Sequence, residues 1–201
     1  METIRGKVSR DLDINELTKR LANYNRIILD LGTGDGRYVR SLAKRNPSWF
    51  VIGVDSCREN LHEHSRAKLP NMLFVIASAQ DLPRELNGLI SHITINFPWG
   101  SLLDSLLTGD AKLIRGIESI SNSIASVNVH LNSGVLSEAD WSLEAGAERI
   151  FDNLTRAGWR INNPVSMSVD SLRSFPSTWA RRLAFGRDPR AMTLSGRIVH
   201  L

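Results

Sequence analysis

The sequence predicts an α/β protein whose sheet is mostly parallel and covered by helices on both faces. Three observations carry that expectation. Nearly uninterrupted apolar runs recur at "RIILDLG", "WFVIGVD", "MLFVIA" and "LISHITINF", as befits strands buried on both sides. Helical stretches separate these runs, which is the pattern of a parallel sheet. A glycine-rich turn follows the first of them, at Gly32, Gly34 and Gly36.

Each element has its own signal. Asp13-Ile14-Asn15-Glu16 has the form of a capping box and opens a helix through about residue 24, with Ile14, Leu17 and Leu21 on one face. Strand one ends in the glycines, and a helix over 36–46 stops before Pro47. Strand two ends at Asp55, a helix is expected over 57–68, and Pro70 closes it. Strands three and four follow, then helices over 100–107 and 110–122. "SIASVNVHL" is a fifth strand. Residues 132–143 read as loop, 144–157 as a helix ending at Gly158, "WRINNPVSM" as a strand, "STWARRLAFG" as a short helix and "AMTLSGRIVHL" as a last strand. The two late strands form an antiparallel hairpin appended to the sheet.

The 201 residues, 42% of them hydrophobic, suit a single domain over 1–201. Residues 1–12 are expected to be an N-terminal extension, and 132–143 and 170–190 insertions for substrate recognition. No apolar run is long enough for a membrane span, and the polar start "METIRGKVSR" has no signal core. With Cys57 as the one cysteine, an internal disulfide and a cysteine-rich metal site are excluded. A cytoplasmic monomer that binds no metal is expected. His62 and His64 would point apart on a helix, and Cys57 reads as a small residue opening one.

The charge is uneven. The chain carries +4, yet residues 171–201 hold six arginines and one acid, Asp188, a balance of +5 that leaves −1 for the rest. An arginine-rich edge with Trp179 inside it fits a polyanion; a merely solvated face is the alternative.

The spacing G-x-G-x-G, with Asp30 two residues before the first glycine, differs from the G-x-G-x-x-G of dinucleotide loops. It resembles motif I of class I S-adenosylmethionine-dependent methyltransferases. Glycines there let the backbone approach the cofactor closely. Asp55, at the end of strand two and nineteen residues after Gly36, can accept both hydroxyls of a ribose. A nicotinamide dehydrogenase remains the rival for this loop. "ITINFPWG" ends strand four in a rigid apolar wall and resembles the nucleic-acid methyltransferase motif that holds a flipped base. Phe97 stands where amino-group enzymes place proline, which argues against exocyclic-amine methylation.

Taken together, "DLGTGDGR", "GVDSCRENL", "FVIASAQDLP", "INFPWGSLL" and "WARRLAFGR" resemble the aminoglycoside-resistance methyltransferases of 16S rRNA, of the kanamycin–apramycin type, which modify N1 of adenine 1408. The resemblance implies a Rossmann-like class I fold with a seven-stranded, mostly parallel sheet and a C-terminal antiparallel hairpin. It implies S-adenosyl-L-methionine as cofactor and the 30S ribosomal subunit as partner. Trp99 and Trp179 would stack on the target adenine, with Pro98 fixing the wall. Asp30, Gly32, Gly34, Asp55, Gln80, Ser101 and Ser177 would line the cofactor pocket; Gln80 replaces an acid found in a relative. Arg66, Lys68, Arg181, Arg182, Arg187 and Arg190 would face RNA phosphate. A methyltransferase for transfer RNA or a small molecule, and a non-catalytic RNA-binding module, are the rival readings; core packing is the rival for each tryptophan.

Overall fold

The computed structural model describes residues 1–186 and 188–199. Arg187 and the His200–Leu201 end of the expected last strand lie outside the described residues. Four strands make the parallel centre: β3 (Arg26–Leu31), β4 (Trp49–Asp55), β5 (Met72–Ile76) and β6 (Ile90–Asn96). A long fifth, β7 (Ser121–Asn132), runs parallel to β6. Beyond it β10 (Ala191–Arg197) is antiparallel to β7 and carries the short strands β8 (Arg160–Ile161) and β9 (Val165–Ser166). At the opposite edge lies a hairpin of β1 (Glu2–Arg5) and β2 (Val8–Asp11), giving the order β2-β1-β5-β4-β3-β6-β7-β10-β8.

The path β5-β4-β3-β6-β7-β10-β8 contains the seven expected strands. β1, β2 and β9 bring the sheet to ten. The first twelve residues are therefore less an extension than an edge of the sheet. The signal was a two-residue Gly6-Lys7 turn, with Gly6 at φ +62° and Thr3 and Ile4 buried behind it. The strand expected from 159 to 167 is broken into β8 and β9 at 162–164, where Pro164 has no N–H to give the ladder.

Period two sorts the core into two faces. Ile28, Val51, Met72 and Phe74 pack with Val39 and Ala43 of α2 (Arg37–Arg45). Leu29, Leu31, Phe50, Ile52 and Val54 face the other way. There they meet α1 (Ile14–Leu21), α3 (Gly100–Thr108), α4 (Ala111–Ile120) and α6 (Leu143–Arg156). Side-chain oxygens of Asp13, Asp110 and Ser142 cap α1, α4 and α6. The capping box at α1 is one-sided, because the Glu16 carboxylate turns to Arg10 at 2.6 Å. Ile14, expected on the buried face, is exposed.

Two loop expectations change. Residues 57–68 form 3-10 turns at Asn60–His62 and His64–Arg66 instead of a helix. Their buried side chains are Leu61, His64 and Ser65, too little apolar surface to anchor an amphipathic stripe. So Cys57 opens no helix. Within 132–143, α5 (Ser133–Glu138) forms because Leu136 is buried and its carbonyl receives the Trp141 N–H at 2.8 Å. A further short helix, α7 (Val169–Ser174), is capped by Ser168 ahead of α8 (Thr178–Ala184).

Candidate active site

β3 has β4 on one side and β6 on the other, so the strand order reverses at its C-terminal end. Parallel sheets bind ligands in the crevice that such a switch opens. Two adjoining cavities occupy it. One, about 200 Å³, is bordered by Asp55, Gln80, Pro98, Trp99 and Ser101. The other, about 270 Å³, is bordered by Asp30, Gly34, Asn96, Trp99, Ser177 and Trp179. Gly32, Asn60 and Trp99 border both. All seven expected cofactor residues and the three expected base-holding residues thus converge on one crevice.

The glycines divide their work. All three have positive φ, at +71°, +57° and +75° for Gly32, Gly34 and Gly36. A Cβ on Gly32 would lie 2.6 Å from Leu102 and one on Gly36 2.5 Å from Phe74, whereas Gly34 has nothing within 4 Å. Gly32 and Gly36 are packing requirements; Gly34 leaves the open cradle. Its N–H donates to Asp55 Oδ2 at 2.8 Å, and Asp55 Oδ1 accepts from Cys57 N–H at 2.9 Å. Asp55 therefore ties the glycine loop to the turn after β4 and leaves lone pairs toward the cavity. Burial raises its pKa.

Asp30 is fully buried. Its Oδ1 accepts from Thr94 Oγ1 at 2.8 Å and from Asn96 Nδ2 at 2.7 Å, and among the described residues no cation pairs with it. Desolvation pushes its pKa up to about 6 against those hydrogen bonds. Asn96 Oδ1 in turn lies 2.8 Å from His130 Nδ1. Since the amide nitrogen faces Asp30, its oxygen must accept, and His130 carries its proton on Nδ1. Burial holds the His130 pKa down at about 4, so the ring is neutral at pH 7.

Gln80 does not simply point into the pocket. Its amide nitrogen donates to the Ser101 carbonyl at 3.2 Å and to Ser105 Oγ at 2.8 Å, and its oxygen accepts from Ser78 at 2.6 Å. It fastens the first turn of α3, the helix that Trp99 precedes. Ser101 contributes its place on the cavity wall, and Ser177 caps α8 by accepting the Ala180 N–H at 3.0 Å.

The wall "FPWG" has a backbone reason. Phe97 sits at φ +55° and its N–H donates to the His130 carbonyl at 2.8 Å. Proline could do neither, which accounts for the departure from the amino-group enzymes' motif. The Phe97 ring is buried against Leu172, Ala180, Ala184 and Ala191. That anchor leaves Trp99 63% exposed, and Trp179 on α8 is 45% exposed. Neither is core. Arg182 sets its guanidinium carbon 5.4 Å from the Trp179 ring centroid, covering one face of the indole.

The expected phosphate contacts among the described residues differ in what engages them. Arg181 is exposed on α8, and Arg182 is engaged with Trp179. Arg190 pairs with Asp188 at 2.8 Å, a bond that holds the Asp188 carboxyl well below the usual range. Arg66 ends the second 3-10 turn and Lys68 follows it; both are exposed, with Arg66 beside Gly6 and Lys68 at the β1–β5 edge. Among the described residues no three His, Cys, Asp or Glu converge as a metal site, and no helix is long and apolar enough to cross a membrane.

Sequence reasoning missed several members of this crevice. Thr178 Oγ1 donates to Asp35 Oδ2 at 2.5 Å. Tyr38 stacks on Phe175 at 5.2 Å, and burial lifts its pKa to about 12. His130 also went unread; its signal was a polar residue inside the apolar alternation of "VNVHL".

Comparison with known proteins sets this geometry among relatives. The family model described as NpmA, 16S rRNA (adenine(1408)-N(1))-methyltransferase, matches residues 2–198. A 16S rRNA (adenine(1408)-N(1))-methyltransferase of Escherichia coli is 31% identical, with 98% of this chain and 99% of that one covered. A variant of the enzyme of the same name from Catenulisporales acidiphilia, solved with cosubstrate SAM, superimposes at a TM-score of 0.87 with 26% identity, over 100% of this chain and 97% of that one. The antibiotic-resistance methyltransferase Kmr gives a TM-score of 0.79 at 29% identity, over 100% of both chains.

Proposed function

The chain belongs to the 16S rRNA (adenine(1408)-N(1))-methyltransferase family, and from that premise we propose that it moves a methyl group from S-adenosylmethionine to N1 of adenine 1408 in the assembled 30S subunit. The observation that carries this reading is one crevice holding an open glycine, the buried carboxylate of Asp30, the half-buried carboxylate of Asp55 and two exposed tryptophans.

The residues fit the cofactor. Asp30 is a buried carboxylate with which no cation among the described residues pairs, suited to the ammonium of a methionine tail. Gly34 gives close backbone approach, and Asp55 offers oxygens to a ribose. Gly32, Gln80, Ser101 and Ser177 complete the walls. When bound, the cofactor supplies a methyl already activated on sulfonium.

The chain then has to hold one nucleotide in line and exclude water. Adenine N1 keeps a free lone pair at neutral pH, so no general base is needed. Asn96, which would otherwise grip an exocyclic amine, is turned toward Asp30 and His130. That favours the ring nitrogen. Extruding the base costs a few kcal/mol, and stacking on an aromatic returns about 1–3 kcal/mol per base. Trp99 and the open face of Trp179, with Pro98 behind Trp99, provide that return.

Residues 170–190 and 132–143 act as recognition insertions within a single domain that works as a cytoplasmic monomer. They adjoin at Ser133 N–H, which donates to the Arg190 carbonyl at 3.2 Å. Arg181, Arg187, Arg66 and Lys68 meet phosphates, Arg182 props Trp179, and Arg190 contributes once RNA competes with Asp188. The product would protect ribosomes from kanamycin and apramycin. Labelled methyl groups offered with 30S subunits, 50S subunits and bulk transfer RNA test the reading: incorporation into 30S alone supports it, and incorporation into transfer RNA alone overturns it.

A further inference from the structure

A cavity of about 630 Å³, larger than either cavity of the crevice, lies away from it at the outer edge of the sheet. It exists because the ladder between β1 and β5 stops early. Thr3 pairs with Val75 and no further residue pair continues it. Gly6, at φ +62°, instead turns its N–H to Ser65 Oγ at 2.8 Å. The hairpin swings away, and a gap opens between Arg5 and the Leu73 edge of β5.

The gap has an apolar floor and a cationic rim. Ile4, Met72 and Phe74 lie along the floor, and Arg5, Arg10, Arg20 and Lys68 stand around it. Among the described residues one carboxylate pairs with these four cations: Glu16, held by Arg10 at 2.6 Å. Burial, and then the nearby Arg10, lower the pKa of Arg20, so its charge is already crowded without a ligand. Val8, 71% exposed, extends the apolar surface at the mouth.

We propose that this cavity is a second RNA site, in which the cationic rim takes a backbone phosphate and the apolar floor takes the adjoining base or ribose. A phosphate suits a cluster of guanidinium groups with so little acid beside it, and the volume lies within the range of about 300–1,000 Å³ usual for small-ligand sites. The site lies outside the base-holding crevice and joins the exposed Arg66 and Lys68 to the N-terminal hairpin. It rests on the reading that the substrate is RNA, and it gives the enzyme a hold on the subunit remote from the methylated base.

The test uses the full chain carrying Arg5→Gln with Arg20→Met, which keeps the aliphatic stem of Arg20. Affinity for 30S subunits should fall about tenfold or more, and the slope of log affinity against log salt should shrink by about one. S-adenosylmethionine affinity should stay within twofold. A single-stranded RNA oligonucleotide lacking any 30S context should show the same loss. If the wild type binds that oligonucleotide through these arginines yet does not methylate 30S, the enzyme reading fails and the site stands. If the double variant binds and methylates 30S like the wild type, the site is refuted and the enzyme reading stands. Should the double variant lose its fold, Arg5→Gln alone, at an exposed position, must still weaken 30S binding about threefold; unchanged binding refutes the site equally.

Discussion

Thr178 donates its hydroxyl proton to Asp35 at 2.5 Å, across 143 residues of sequence. Asp35 belongs to the glycine loop, and Thr178 immediately precedes Trp179. The loop that would hold the cofactor is thereby tied to the residue that would hold the base. Thr178→Val, which removes the donor and keeps the shape, should slow methyl transfer several fold and leave cofactor affinity within twofold. Thr178→Ser should restore the rate. Calorimetry beside single-turnover kinetics separates the two effects; a slow Ser variant would argue against the hydrogen bond.

Trp99 and Trp179 act after docking and before chemistry. Alanine at either should leave 30S and cofactor affinity within a few fold. Methyl transfer should drop by more than about tenfold, since one lost stack is worth about 1–3 kcal/mol and 1.4 kcal/mol is tenfold in rate. The double variant should lose little more than the worse single one. Folded alanine variants turning over at the wild-type rate would dismiss the clamp.

Asp30 gives a pH dependence of defined sign. Its pKa is raised from 3.8 to about 6 in the folded chain. Below 3.8 the carboxyl is protonated in both states and contributes nothing. As pH rises through 6 the folded state must hold a buried charge, an order-of-magnitude cost of roughly 3 kcal/mol. Without cofactor, Asp30→Asn should therefore gain stability relative to the wild type between pH 4 and pH 7. Cofactor affinity should move the other way: the wild type binds more tightly as pH rises through about 6, and the Asn variant binds weakly at every pH. Denaturant melts and titrations at both pH values check the pair of trends, and a pH-independent stability difference would contradict the assignment.

Phe97 carries the wall. A left-handed backbone at a bulky residue stores roughly 1–3 kcal/mol of strain, offset here by the His130 hydrogen bond and the buried ring. Phe97→Pro should lower the melting temperature and abolish methyl transfer, because it removes the N–H and cannot reach φ +55°. Phe97→Leu keeps the N–H and most of the burial and should retain activity. Equal behaviour of the two variants would contradict this role.

How much of this was legible in the sequence follows from the range of the signals. The parallel centre was readable because burial on both faces writes itself as unbroken apolar runs, and Asp30 and Asp55 were readable because they close such runs. The N-terminal hairpin was missed because four-residue strands carry little pattern and their pairing partner, β5, lies some seventy residues on. The turns at 60–66 were taken for a helix because polar residues with one leucine satisfy helical spacing without packing anything. Gln80 borders the crevice, and that its amide also fastens α3 is a contact between distant segments. The same holds for Arg182, whose charge was plain and whose place over Trp179 was not. The pairings Thr178–Asp35 and His130–Asn96 join distant segments, and no local pattern writes such a contact.

The central claim is tested most directly by mapping the modified position. Purified 30S subunits are incubated with the protein and S-adenosylmethionine, the RNA is extracted, and reverse transcription is run across the decoding site. A methyl on N1 blocks the Watson–Crick edge, so a new stop should mark adenine 1408, dependent on cofactor and absent with Asp55→Ala or Trp99→Ala. A stop at a different nucleotide, or none with folded, cofactor-binding protein, would contradict the account.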